Sequence, residues 1–494
     1  MGLLRFAVKK NNGATVLIDG DRSLTINEVN SNANRLCSYF LSKGLQKGDR
    51  VGVWLKNRKE YIETRLACYK AGDVFIALID DFSFRQGLDV LNDTECKVLF
   101  FDNRIPQEQL QEIFRLSLVE HAVSTDKFPS DEKVTAYEDI LSQYKDNETD
   151  VKTKPDDISA IGFTSGTTGK SKGVVWSHKA WLDSFYHFVL NSDGTSLKNA
   201  VFLHVVPFST AGSLVILPSL VSGAKSILLS SFNVEETADT IDKMGITHLV
   251  LPPSFLIQLW DFFESHKPAY HFKSIRNISV GSAILPGAKW AEMLRTFGPV
   301  IQQSYGMAEV LAPLAFLRIT DPAGRKDLLT SVGKTIPQVK IRVMDKARGN
   351  TGILKIKSTT SALGYWKQPE LTRQFFENGW FVTTDLGYVN QEGYLFIKGR
   401  AAHAINYKNN TLNPRDIEEV IHEFPGVKEV CILIRQNKLF AVVTQRTGYT
   451  VNIAELKAFC SKNLNVLPDE YVLLDTLPCS TSGKILREEI LKNL

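Results

Sequence analysis

"IGFTSGTTGKSKGVVWSH", residues 161–178, sets glycines, hydroxyls and lysines between two apolar runs. A loop with so many backbone donors, hydroxyls and ammonium groups side by side suits phosphate. The nucleotide-triphosphatase pattern G-x-x-x-x-G-K-[ST] does not fit, because its first glycine falls on Thr164. Context disagrees too. That pattern opens a helix at its Gly-Lys pair, whereas here the β-branched run Gly173-Val174-Val175-Trp176 follows. Helical periodicity begins only near Ser177. The stretch therefore reads as a hairpin, with strands "ISAIGF" and "GVVW" joined by a polar loop. The loop either closes over a polyphosphate or is a Gly/Ser-rich surface turn.

Strand then helix recurs on both sides of this hairpin. "RVGVWL", "KEYIETRLACYKAG", "DVFIALI" and "CKVLFF" precede it; "KSILLS", "VEETADTIDKMG", "ITHLVL", "SIRNISVG" and "PGAKWAEMLRTFG" follow. Such alternation predicts an α/β fold: a large N-terminal body of layered, mostly parallel sheets flanked by helices. After "GRAAHAINYKNNTLNP" (399–414) the pattern becomes helix, strand, strand, helix, a small α+β unit. The expected division is a body over 1–400, a hinge at 401–403 and a small mobile C-terminal domain over 404–494.

At 494 residues the chain is too long for one ordinary core. The 58 basic and 54 acidic groups give a net charge of +4, too balanced for a nucleic-acid field. The six cysteines lack metal-ligand spacing and read as free thiols of a reducing, cytoplasmic compartment. "VFLHVVPFSTAGSLVILPSLVSGA" (201–224) has the length of a membrane span. Two prolines, four serines and a histidine speak instead for a buried strand, turn and helix. The expected partners are thus small molecules, with no nucleic acid and no membrane span.

"TSGTTGKSKG" resembles the phosphate-loop signature of the adenylate-forming superfamily: acyl- and aryl-CoA synthetases, carrier-protein adenylation domains and luciferases. Further motifs support the resemblance in the right order. "SYGMAE" (304–309) resembles Tyr-Gly-x-Thr-Glu. The stretch 364–400, from "GYWKQPELT" to "FIKGR", resembles the block that ends the large domain. "LPCSTSGKILR" (477–487) resembles the C-terminal lysine motif.

The resemblance implies two half-reactions. A carboxylate attacks the α-phosphate of ATP and expels pyrophosphate; a thiol of CoA or carrier-protein phosphopantetheine then takes the acyl group. Thr164, Ser165, Gly166, Thr167, Thr168, Gly169 and Lys172 would hold the β- and γ-phosphates. Glu309 would bind Mg²⁺, a hard cation that takes oxygen ligands. Tyr305, within Ser304-Tyr305-Gly306, would pack on adenine; by composition it is equally a core residue. Gly281 and Ser282 would belong to the nucleotide site, Gly281 also to the acid site. Asp385 would accept from both ribose hydroxyls, or is a turn cap; Arg400 would contact ribose or phosphate, or is a solvated charge. Lys484 would bridge carboxylate and α-phosphate, carried in by the small domain as a point charge. Thr164, Glu309 and Lys484 are the expected catalytic residues.

Departures from the family pattern cluster. Ser171, Ala308 and Thr384 replace the usual Pro, Thr and Gly of the adenylation motifs. Ala402, Asn409 and Thr411 replace the usual hinge residue, a glycine of the thiol passage and the basic residue after it. Adenylation is therefore the firmer expectation and thiol transfer the weaker. "HVVPFSTAGS" (204–213) holds no acid to pair an α-amine, so an amino-acid substrate is disfavoured. The stretch resembles the pocket segment of aryl-acid adenylating enzymes, with Val205 in place of their Asn. His204, Ser209 and Thr210 are the expected polar contacts with an aromatic or mostly apolar acid, His204 being equally a core histidine. Two alternatives stay open: an amide synthetase with an amine acceptor, and a degenerate nucleotide-binding homologue.

Overall fold

The computed structural model describes residues 2–149, 151–164, 171–191, 197, 199–267, 269–322, 324–344, 351–408 and 410–494. The chain forms two compact units. One comprises Met1–Ser231, Met307–Ala312 and Thr359–Phe376; the other comprises Phe232–Gly306, Pro313–Ser358 and Glu377–Leu494.

The first unit is built on an eight-stranded sheet. Its order is Gly364–Tyr365, Lys172–Ser177, Ile158–Thr164, Val74–Ala77, Arg50–Trp54, Val98–Phe101, His121–Ser124 and Val134–Ala136. Strands from Ile158–Thr164 to Val134–Ala136 run parallel, and the hairpin adds the antiparallel edge. Helix Lys59–Ala71 ends on Gly72 at φ +75°, the left-handed cap that glycine supplies without strain. A second group of strands, Val201–His204, Lys225–Leu228, Thr15–Asp19 and Arg22–Thr25, belongs to the same unit. The apolar stretch 201–224 is, as expected, a buried strand, a turn and a short helix, Ile216–Ser222. Among the described residues no helix is long and apolar enough to cross a membrane. All six cysteines are free and five are buried.

In the second unit His248–Leu251, Asn277–Val280 and Ile301–Tyr305 run parallel. Beyond Ile301–Tyr305 the sheet continues antiparallel through Ala315–Leu317, Gly333–Thr335, Tyr394–Arg400, Trp380–Val389, Gly352–Lys357 and Lys340–Met344. The sequence rhythm did not reveal this run. A small α+β subdomain follows, as expected: helices Pro414–His422 and Ile453–Asn463 pack with strands Val427–Arg435 and Lys438–Gln445. Strand Glu470–Leu474 and helix Arg487–Asn493 complete it and were not anticipated.

Charge seats this subdomain on two helices of the same unit, Pro253–Ser265 and Gly287–Phe297. Asp261 is 3% exposed and takes Lys428 Nζ at 3.1 Å and the Thr447 hydroxyl at 3.0 Å. The Arg446 guanidinium lies 3.9 Å over the Trp260 ring and reaches Glu292 at 3.0 Å. The Gly287 amide donates to Glu419 at 3.0 Å.

Two consequences can be measured. Asp261→Ala strands Lys428 without its buried counter-charge and leaves Arg446 with Glu292. It should lower unfolding stability by about 3–5 kcal/mol and speed hydrogen exchange through residues 427–449. In the hairpin, a Cβ at Gly162 would lie 2.3 Å from the Trp176 ring. Gly162→Ala should therefore lower the urea midpoint, at a cost of about 1–3 kcal/mol.

Candidate active site

The hairpin is observed as expected: Ile158–Thr164 pairs antiparallel with Lys172–Ser177, and Thr164 faces Lys172 across the ladder. Ser165, Gly166, Thr167, Thr168 and Gly169 lie outside the described residues. Gly162 lets the Trp176 ring lie flat across the strand pair. The Trp176 indole N–H then donates to the Ala308 carbonyl at 2.8 Å. That bond ties the residue before Glu309 to the strand that leaves the phosphate loop. Glu309 is half-buried, and its Oε1 accepts from the Tyr365 hydroxyl at 2.9 Å. Burial first, and then the Glu309 carboxylate, push the Tyr365 phenol well above its usual range, so it remains the donor. Lys172 Nζ stands 5.8 Å from the centres of the Tyr365 and Phe375 rings.

The expected acid-binding segment also lies in the first unit. His204 ends the strand Val201–His204, is 4% exposed and packs against Phe202 and Phe208. Burial drives its imidazole down to about 3, so the ring is neutral. Its Nε2 and the Ser209 hydroxyl are both buried and, among the described residues, have no hydrogen-bond partner. Val205 is buried, and Thr210 spends its hydroxyl on the Pro207 carbonyl at 2.9 Å. His204 and Ser209 thus offer polar atoms, while Thr210 shapes the turn. Asn57, which sequence reading missed, holds the turn from both sides. Its amide donates to the Val206 carbonyl at 3.0 Å and its oxygen accepts from the Phe208 amide at 2.7 Å. No local signal marks it, since its partners lie 149 and 151 residues away.

In the second unit the expected residues gather at one end of the parallel strands. Gly281 and Ser282 follow Asn277–Val280, and Ser304 and Tyr305 end Ile301–Tyr305, with Gly306 next. A Cβ at Gly281 would meet only the Ser304 hydroxyl, at 3.3 Å, so the strand end is open there. Ser282 holds φ +66°, a conformation that few non-glycine residues adopt and that clusters at functional sites. Tyr305 is buried, and its hydroxyl donates to Asp385 Oδ2 at 2.6 Å. Asp385 and Arg400 are register partners, with Arg400 Nε 3.6 Å from Asp385 Oδ1. Asp385 therefore sits within a strand and is not a turn cap.

Lys484 is exposed on a turn closed by the Ser480 amide to the Lys484 carbonyl at 2.9 Å. Gly483 of that turn has φ +75°, and its carbonyl accepts from the Ser254 hydroxyl at 2.7 Å. A side chain at Gly483 would collide with Pro252, 2.4 Å from the built Cβ. Pro252 and Ser254 directly follow the strand His248–Leu251. The lysine turn thus rests at the carboxyl end of the same parallel strands that present Gly281 and Tyr305. In open α/β sheets that end is where ligands bind. Ala402 lies in a single exposed helical turn, Ala401–His403, and the Thr411 hydroxyl donates to Asn406 at 3.1 Å. Asn409 lies outside the described residues.

The chain resembles known proteins over nearly its whole length. The sequence profile of the family described as AMP-binding enzyme matches residues 4–366. A medium-chain fatty-acid–CoA ligase of Escherichia coli K12 is 26% identical, over 99% of this chain and 88% of its own length. The anthranilate CoA ligase AuaEII, solved with anthranoyl-AMP, superposes with a TM-score of 0.89 at 21% identity, over 99% and 96% of the two chains. The amide bond synthetase McbA of Marinactinospora thermotolerans superposes with a TM-score of 0.85 at 22% identity, over 100% and 99%. The chain belongs to the AMP-binding enzyme family, within the adenylate-forming superfamily of ATP-dependent, AMP-forming acid–thiol ligases.

Proposed function

We propose that this protein activates an aromatic or mostly apolar carboxylic acid with ATP and passes the acyl group to a thiol of CoA or of carrier-protein phosphopantetheine. In the first step a carboxylate oxygen bonds to the α-phosphorus, the bond to the β-phosphate bridging oxygen breaks, and pyrophosphate leaves. In the second, sulfur bonds to the acyl carbon, AMP leaves and the thiol proton passes to solvent. The supporting observation is the Lys484 turn, lodged by Gly483 against Pro252 and Ser254 at the strand ends that present Gly281 and Tyr305.

Each side chain has a physical task on this reading. Lys484, a compact cation on a long stem, offsets the charge of carboxylate and α-phosphate as they approach. Asp385, already an acceptor for Tyr305, accepts the ribose hydroxyls, and Arg400 balances its charge. Tyr305 gives adenine an aromatic wall. Thr164 and Lys172 flank the triphosphate with residues 165–169. Glu309 fits Mg²⁺: it is a hard oxygen donor, half-buried, and among the described residues only the neutral Tyr365 side chain hydrogen-bonds it. Magnesium is commonly held by one or two carboxylates together with substrate phosphates, and it would neutralise charge on the leaving group. His204 and Ser209, whose buried polar atoms have no partner among the described residues, offer them to a substituent of the acid. Residues 404–494 turn at 401–403 to clear the way for the thiol, which keeps water from the adenylate while the lysine is in place.

A second reading replaces the thiol by an amine, yielding an amide. Ala402, Asn409 and Thr411 favour it, because all three depart from the family pattern where thiol transfer is prepared. The fold it shares with an amide bond synthetase is compatible with it.

Carboxylate-dependent ATP–pyrophosphate exchange across a panel of aryl, fatty and dicarboxylic acids tests the first step. Aryl and apolar acids should support it. AMP release with CoA, carrier protein or amines then separates the acceptors. Lys484→Ala should cut exchange by roughly 100-fold or more while ATP binding stays within about twofold. Absence of exchange with every acid would overturn the enzymatic reading, and equal loss of binding would show the lysine to be structural.

A further inference from the structure

Tyr365 joins Glu309 to the strand that carries Lys172. Its main chain pairs with Val174 in the strand that carries Lys172. Its amide donates to Thr372 at 2.9 Å, and Phe375 and Phe376 meet its ring edge-on at 6.3 and 5.7 Å. Gly364 before it holds φ +140°, and a Cβ there would strike Thr372 at 2.5 Å. Backbone and ring are therefore fixed, which fixes the hydroxyl too. The hydroxyl donates to Glu309 Oε1 at 2.9 Å. The Glu309 main chain is tied to the same segment, since its carbonyl accepts from the Ala362 amide at 2.8 Å and Val310 bridges to Ser361.

We propose that Tyr365 is a positioning residue that sets the Glu309 carboxylate for a divalent cation and holds it in register with the strand bearing Lys172. The proposal rests on the reading that Glu309 binds magnesium with ATP. A glutamate left to itself samples several rotamers, and ordering it opposes cation binding. One charge-assisted hydrogen bond from a fixed phenol removes most of that freedom and leaves Oε2 as donor. Hydroxyl donation does not neutralise the carboxylate, as an ammonium partner would. Partners that orient a metal ligand commonly carry 10- to 100-fold in affinity.

The test uses the full chain with Tyr365→Phe, Glu309→Gln and the double variant, and manganese as the paramagnetic probe. Manganese bound in the presence of ATP is counted by electron paramagnetic resonance, and metal-free ATP binding by calorimetry. Tyr365→Phe keeps the ring. It should weaken manganese binding by roughly 10- to 100-fold while the thermal midpoint and metal-free ATP binding hold. In the Glu309→Gln background, loss of the hydroxyl should add nothing. Wild-type-like manganese binding by Tyr365→Phe, or the same loss in the Glu309→Gln background, would overturn the positioning role alone. A wild-type chain that binds no manganese with ATP would overturn the role of Glu309 together with it.

Discussion

The contact of the Gly483 carbonyl with the Ser254 hydroxyl, at 2.7 Å, is where the second unit commits itself. Only a residue without a Cβ fits against Pro252, and only a glycine takes φ +75° there at no cost. Lys484 comes next in the chain, so the steric fit of Gly483 sets where its backbone lies. The fit in turn needs the subdomain held at one angle. Asp261, Arg446, Lys428 and Glu292 do that with buried charge. Such clusters add little stability over an apolar seam, but they tolerate few alternative registers. On the proposed reading, registry is what a delivered lysine requires.

A different arrangement surrounds Glu309 in the first unit, where two acceptors are held by neutral partners. Glu309 takes a phenol, and the Ala308 carbonyl takes an indole N–H. Neutral donors orient an acceptor without cancelling charge. Asp385 in the other unit follows the same rule with Tyr305, and its cationic neighbour Arg400 stands off at 3.6 Å. His204 is the opposite case. It is neutral and buried, and among the described residues its Nε2 has no partner. A buried polar atom in that state favours any ligand that can bond to it.

Much of this was legible in the chain because the signals were local. The Val174–Trp176 run after Gly173 excluded a helix and gave the hairpin. Alternation of apolar runs with helical periodicity gave the α/β class. Pro207, Pro218 and the serines between them excluded a membrane span. What was missed depends on distant partners. Tyr365 meets Glu309 across 56 residues, and Asp261 meets Thr447 across 186. The helix Pro253–Ser265 buries residues on all sides, so it shows no amphipathic period to read. The antiparallel strands from 315 to 400 are short or half-exposed, and their alternation is interrupted at Gly387, where the register shifts.

The departures from the family pattern carry different weight once neighbours are known. At Ala308 the family's hydroxyl is absent, yet its carbonyl still takes the Trp176 indole, so the loop before Glu309 keeps its anchor. Thr384 is exposed and its neighbour Thr383 caps the Asp385 amide at 3.0 Å, so the aspartate is oriented without the usual glycine. On the proposed reading, both changes are compatible with adenylation. Ala402 has no such substitute: a methyl group on a single exposed turn forms no ion pair or hydrogen bond that would hold the hinge in one of two states. Thr411 bonds within its own hairpin, to Asn406, and brings no cation toward an incoming phosphopantetheine. On the proposed reading, the chain carries the lysine, the carboxylates and their neutral partners, whereas Ala402 and Thr411 bring no charge to grip a CoA nucleotide. A chain so divided is suited to an acceptor that needs little recognition from the hinge, either a thiol presented by a carrier protein or a small amine.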